Sequence, residues 1–128
     1  MATTGDASAF PGGDGFAQGV VEIVGPDLDR SLDFYLLLGF ELLRRSEGFA
    51  VVHWQGQRLF LAENPDAPTT PRWTNLRIMV EDVDALWHRI RALGISPTHA
   101  IGNRFYGLRD FTLADPSGFE IRFAQALA

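Results

Sequence analysis

Two stretches decide how this chain is to be read: DLDRSLDFYLLLGF at residues 27–40 and DVDALWHRIRALGI at residues 82–95. Each opens on an Asp and closes on a Gly, and the separation from Asp27 to Gly39 equals that from Asp82 to Gly94. Between these markers Leu28, Leu32, Tyr35 and Leu36 in one stretch, and Val83, Leu86, Ile90 and Leu93 in the other, recur at spacings of three and four. That spacing predicts two amphipathic helices, each with an apolar stripe to lay on a sheet. Asp27 and Asp82 stand where a carboxylate accepts from the orphan N–H groups of a first helical turn, which makes them caps. Gly39 and Gly94 stand where a left-handed residue ends a helix at least cost.

Working outward, β-branched runs precede both Asp residues: Val20 to Val24 before the first, Leu76 to Val80 before the second. Three strands are expected after Gly39, at about residues 40–45, 49–54 and 59–63, turning at Ser46-Glu47-Gly48 and Gln55-Gly56-Gln57. Three more are expected after Gly94, near residues 97–101, 109–114 and 119–124, the last two joined by Asp115-Pro116-Ser117-Gly118. The chain thus reads as βαβββ twice, an α+β fold built from a duplicated module. Residues 19–64 and 73–126 are expected to form the modules of one domain spanning 19–126, with residues 65–72 and their prolines as the link and residues 1–18 as a flexible tail. The alternative for the tail is an arm that docks on a second subunit through Phe10 or Phe16.

Composition narrows the function. At 128 residues, 46% hydrophobic and 21% charged, the chain has enough apolar material for one self-sufficient core. It has no Cys, so thiol nucleophiles, disulfides and Cys-ligated metal centres are excluded. A cytoplasmic location fits that composition. Eleven basic against sixteen acidic residues leave a net charge of −5, the wrong sign for a protein that binds by neutralising phosphates, so no nucleic-acid partner is expected. No apolar run is long enough to span a bilayer, and no membrane partner is expected either.

The order of motifs, with Asp-Leu-Asp-Arg-Ser-Leu-x-Phe-Tyr at residues 27–35, Leu-Gly-Phe at 38–40 and Asp-Pro-Ser-Gly-Phe-Glu-Ile at 115–121, resembles the vicinal oxygen chelate superfamily of glyoxalases, extradiol dioxygenases and bleomycin resistance proteins. The resemblance implies a cupped mixed sheet made by the two modules. In metal-dependent members, four inward positions supply His, Glu or Gln to one divalent ion. By motif position these fall on Val20, Phe60, Asn75 and Arg122, none of them an ordinary ligand. Among His53, His88 and His99 no pair has the spacing of a ligand pair, so no metal and no other cofactor is expected.

Strand alternation then lines the cup with Val20, Glu22 and Val24; Arg58, Phe60 and Ala62; Asn75, Arg77 and Met79; and Glu120, Arg122 and Ala124. Glu22 is expected to pair with Arg122 or Arg77, as a structural ion pair or as part of a ligand site. The run Phe105-Tyr106-Gly107-Leu108-Arg109-Asp110 is similar to the aromatic-glycine loop of bleomycin resistance proteins, which the resemblance describes as intertwined dimers that sequester a flat cationic drug without chemistry. Tyr106, Phe105, Phe60, Trp54 and Trp73 are the candidate stacking surfaces. Arg77 and Arg122 depart from a cation site and favour a carboxylate or phenolate. The expectation is a homodimeric, metal-independent protein that binds a small aromatic or natural-product molecule through Glu22, Trp54, Phe60, Asn75, Arg77, Tyr106 and Arg122. One alternative is an enzyme (a lyase, isomerase or dioxygenase with an atypical metal site or none) using Glu22 as base and Arg122 to stabilise an anion. Another is a dimerisation module whose cup is filled by its own side chains.

Overall fold

Both capping aspartates act as their positions imply. The Asp27 carboxylate accepts from the Arg30 N–H at 3.2 Å, and that of Asp82 from the Ala85 N–H at 3.0 Å. The computed structural model describes residues 19–71 and 74–128. The expected tail, its Phe10 and Phe16, and the linker's last residue, Arg72, therefore lie outside the described residues, as does Trp73.

In the first module β1 (Val21–Gly25) leads into α1 (Leu28–Leu38), then β2 (Glu41–Ser46), β3 (Phe49–Trp54) and β4 (Gln57–Glu63). The second runs β5 (Asn75–Met79), α2 (Val83–Ala92), β6 (His99–Asn103), β7 (Leu108–Ala114) and β8 (Glu120–Ala126). The sheets have matching strand orders, β1-β4-β3-β2 and β5-β8-β7-β6, with one parallel pair each. The observed bounds move by a residue or two. The sixth strand starts at His99 instead of 97, which leaves Pro97, a residue with no N–H to give a ladder, outside it.

The duplication extends to details that the motif spacing does not contain. The first helical N–H of α1, on Leu28, donates to Glu63 Oε1 at 3.1 Å; its counterpart in α2, on Val83, donates to Gln125 Oε1 at 2.9 Å. Glu63 and Gln125 both sit near the end of the strand that pairs parallel with the module's first strand. Each helix start is thereby tied to its own sheet as well as to its cap. Gly39 (φ 117°) closes α1 in the left-handed conformation expected of it.

The two modules share one core. The buried cluster contains Ile23, Leu32, Tyr35, Leu59 and Leu61 from the first and Ile78, Ile90, Phe111, Ile121 and Phe123 from the second. Aromatic rings form a continuous seam between the helices: Tyr35 meets Phe40, Phe40 meets Trp54, Trp54 meets Phe123, Phe123 meets Phe111 and Phe111 meets Trp87, with successive centroids 5.2–5.8 Å apart. The Tyr35 hydroxyl donates to buried Asp115 Oδ2 at 2.6 Å, joining α1 to the turn between β7 and β8. Asp115 Oδ1 also accepts from the N–H groups of Ser117 and Phe119 and from the Ser117 hydroxyl, at 2.7–2.9 Å.

Close approach fixes the residues around this turn. A Cβ on Gly25 would sit 2.8 Å from the Ser117 Cβ, and one on Gly118 (φ 85°) would lie 2.5 and 2.6 Å from the carbonyl oxygens of Thr69 and Thr70 in the linker. Tyr35→Phe is expected to leave a buried carboxylate oxygen without its donor and to lower unfolding free energy by about 1–3 kcal/mol, read from the urea midpoint at unchanged slope.

Candidate ligand-binding site

On the inner strands of each sheet, β3 and β4 in one and β7 and β8 in the other, residues of one parity enter the shared core and those of the other face away from the helix. In the first module the outward row places Glu22 beside Phe60 and Phe60 beside Val51 across the strands. Phe49 and Phe60 meet edge to face at 5.3 Å, and the Arg44 guanidinium lies 5.8 Å from the Phe49 ring centroid. This face is an aromatic and aliphatic patch rimmed by charge, with Glu22 and Arg58 exposed. His53 joins the rim through Glu41, Nε2 to Oε1, at 3.2 Å.

The corresponding face of the second module is polar. Arg77, Arg122 and Thr112 stand side by side on β5, β8 and β7. Two residues from Thr112 on the same face, Asp110 is 2% exposed. Its Oδ1 accepts from Arg104 Nε at 2.6 Å, its Oδ2 from the Tyr106 hydroxyl at 2.8 Å, and Arg77 lies 3.5 Å from Oδ2. Burial acts to raise the Asp110 carboxyl pKa, yet the hydrogen bonds from Arg104 and Tyr106, with the Arg104 and Arg77 charges, hold it below the ordinary value. The Arg77 guanidinium also lies 5.3 Å from the Tyr106 ring centroid. Arg122 Nε is buried and has no hydrogen-bond partner among the described residues. A cavity of about 140 Å³ opens among His99, Arg104, Tyr106, Asp110, Thr112 and Arg122.

The residues expected from the sequence divide into groups. Glu22 and Phe60 lie together on the first module's face. Arg77, Tyr106 and Arg122 surround Asp110 and the cavity on the second. Asn75 is exposed at the start of β5, beside Glu120. Trp54 has the opposite parity from Phe60 and takes part in the aromatic seam through Phe40 and Phe123; its edge reaches a groove of about 360 Å³ that it shares with Gln57, Arg77 and Met79. Phe105 is fully exposed at the hairpin tip, 5.2 Å from the Tyr106 ring. The expected ion pair from Glu22 to Arg77 or Arg122 is absent among the described residues: Arg77 turns to Asp110, which stands on its own sheet.

Sequence reasoning passed over Arg104, Asp110 and Thr112. The signal that could have found the last two is the alternation along β7, where Asp110 and Thr112 interleave with buried Phe111 and Leu113. Arg104 has no periodic signal, since a hairpin turn brings it back onto Asp110.

The four positions at which the superfamily's metal would sit do not fit a divalent ion. Val20 and Phe60 offer no donor, Asn75 stands exposed, and Arg122 carries a cationic guanidinium with no lone pair to give. Among the described residues no three His, Asp or Glu side chains gather where one ion could be held.

Residues 17–123 match the Glyoxalase/Bleomycin resistance protein/Dioxygenase superfamily, and the chain belongs to it. It is 30% identical to a bleomycin resistance protein of Geobacillus stearothermophilus, over 79% of this chain and 90% of that one. The fold is shared with a bleomycin-binding protein solved in complex with bleomycin (TM-score 0.76, 22% identity, 86% of this chain and 98% of the other). It is shared equally with the bleomycin resistance determinant of transposon Tn5 (TM-score 0.77, 22% identity, 87% and 98%).

Asp110 yields a pH prediction. Because its folded-state pKa is depressed, its contribution to stability is complete above the unfolded carboxyl value and is lost as pH falls through the folded one. Tyr106→Phe removes one of the bonds holding it down. A carboxyl-carbon NMR titration is expected to show the Asp110 midpoint move upward in that variant, and acid unfolding to begin at higher pH.

Proposed function

We propose that this member of the glyoxalase/bleomycin resistance/dioxygenase superfamily is a metal-independent binding protein that captures a flat aromatic, antibiotic-like small molecule. The observation that carries the reading is the pair of helix-free sheet faces. One carries Phe49 and Phe60 within a charged rim, the other Tyr106 beside a cluster of guanidiniums, and neither offers a donor set for a divalent ion. Aromatic faces left open beside charge suit a flat heteroaromatic ligand better than they suit a dry core. The bleomycin resistance relative and the bleomycin-bound neighbour support this class of ligand.

The working form is proposed to be a homodimer. Within one chain the two faces belong to separate sheets, and the residues on them, Glu22, Arg58, Asn75, Arg77 and Met79, stay exposed. A second copy that laid its polar face over the aromatic one would cover both and complete a cup from the two modules. Glu22 and Phe60 of one copy would then approach Asn75, Arg77, Tyr106 and Arg122 of the other across the subunit boundary.

Protein dialysed against EDTA is expected to bind at least one member of a panel of flat polycyclic and heteroaromatic antibiotics, bleomycin among them, and to return it unmodified by mass spectrometry. Binding is read by tryptophan emission and calorimetry. Phe60→Ala is expected to weaken that affinity about tenfold, some 1.4 kcal/mol. Sedimentation is expected to give a dimer. Turnover that disappears with chelator and returns with manganese, nickel or iron would overturn the reading.

A further inference from the structure

The second module's face holds more positive charge than its own residues neutralise. Arg77, Arg104 and Arg122 share one carboxylate, that of Asp110, and its oxygens are already engaged by Arg104, Tyr106 and Arg77. Arg104 spends a further nitrogen on the carbonyls of Ala100 and Asp110, at 2.6 and 3.1 Å. Nothing comparable faces Arg122. Its cross-strand neighbours are Arg77 and Thr112, and its buried Nε has no acceptor among the described residues. Glu120 lies two residues along the same strand and forms no ion pair among the described residues. Like charges placed side by side on neighbouring strands destabilise a sheet, and a buried guanidinium nitrogen without an acceptor adds its desolvation cost.

The cavity beside Arg122 says what would relieve this. At about 140 Å³ and open to solvent, it has room for a carboxylate. Thr112 contributes a hydroxyl donor to the wall and His99 a ring nitrogen. Tyr106, 44% exposed, stands at the mouth as a flat surface held in place by its bond to Asp110. A planar guanidinium is the group best matched to a carboxylate, which takes two parallel N–H bonds from it.

We propose that this pocket is an anion subsite: Arg122, supported by Thr112, binds the carboxylate of a ligand whose aromatic ring lies outside the pocket against Tyr106. The inference rests on the binding-protein reading above and narrows its ligand class to aromatic carboxylates. It also gives the network a division of labour. Asp110 holds Arg77 and Arg104 in place and orients Tyr106, while Arg122 has no carboxylate of its own among the described residues.

A matched pair of probes, 2-naphthoate and 2-naphthamide, separates ring from charge. In wild-type protein the carboxylate is expected to bind at least about tenfold more tightly than the amide by calorimetry, with the gap narrowing as salt rises. Arg122→Met, similar in length and uncharged, is expected to bring the two affinities within about twofold of each other, chiefly by weakening the carboxylate. Arg122→Lys, which keeps the charge and loses the fork, is expected to retain part of the preference; it also serves as the test should the Met variant fail to fold. Equal binding of both probes to wild type, or a preference that survives in Arg122→Met, overturns the subsite. If the antibiotic panel binds and neither naphthalene probe does, the subsite falls and the binding-protein reading stands. If nothing in either set binds, that reading falls too.

Discussion

The hydrogen bond from the Tyr35 hydroxyl to Asp115 is the constraint from which the rest of the molecule follows. It crosses from the helix of the first module to a turn of the second, and it is buried at both ends. A carboxylate removed from water needs its lone pairs satisfied, and Asp115 meets that need with Tyr35, two backbone N–H groups and the Ser117 hydroxyl. Its position is thereby defined from both modules. The turn it organises leads directly from β7 into β8, so it also sets which residues of those strands stand opposite one another. The pairing of Thr112 with Arg122, and with it the polar face, depends on that register.

The site and the core are two sides of the same strands. Along β7, Phe111 and Leu113 enter the core while Asp110 and Thr112 face the pocket; along β8, Ile121 and Phe123 enter it while Arg122 turns the other way. The polar network can be precise because its alternate residues are locked in a fully buried layer. Arg77, at the sheet's edge, is held by Asp110 and by the ring of Tyr106, so two of the positive groups are positioned by partners and Arg122 is positioned by its strand.

The fold was legible because its signals are local. Two capped helices with equal spacing, two glycine closures and a run of hairpin turns are each set by backbone chemistry within a few residues, and together they imply the duplicated βαβββ order. The site was legible only in part. Alternation put Glu22 and Phe60 on one row and Arg77 and Arg122 on another as the lining of a single cup; the structure keeps these rows, on two separate sheets, but alternation is blind to what stands opposite. That is why Glu22 reads as a partner for Arg122 or Arg77, when Asp110 on its own sheet takes Arg77. Trp54 reads as a stacking surface because an aromatic at a strand end looks the same whichever face it takes; Phe40 and Phe123, distant in sequence, draw it into the seam. Arg104 was invisible because a turn, with no period of its own, brings it to Asp110.

The aromatic seam has a consequence for how the repeat is to be understood. Each half carries the same order of elements and its own sheet, so the halves look like two small proteins joined end to end. Yet Phe40 and Trp54 of one complete their surroundings with Phe123 and Phe111 of the other, and the buried layer runs through both without interruption. Neither half therefore holds a complete interior of its own, so the boundary between the modules is a boundary in the chain and not in the core.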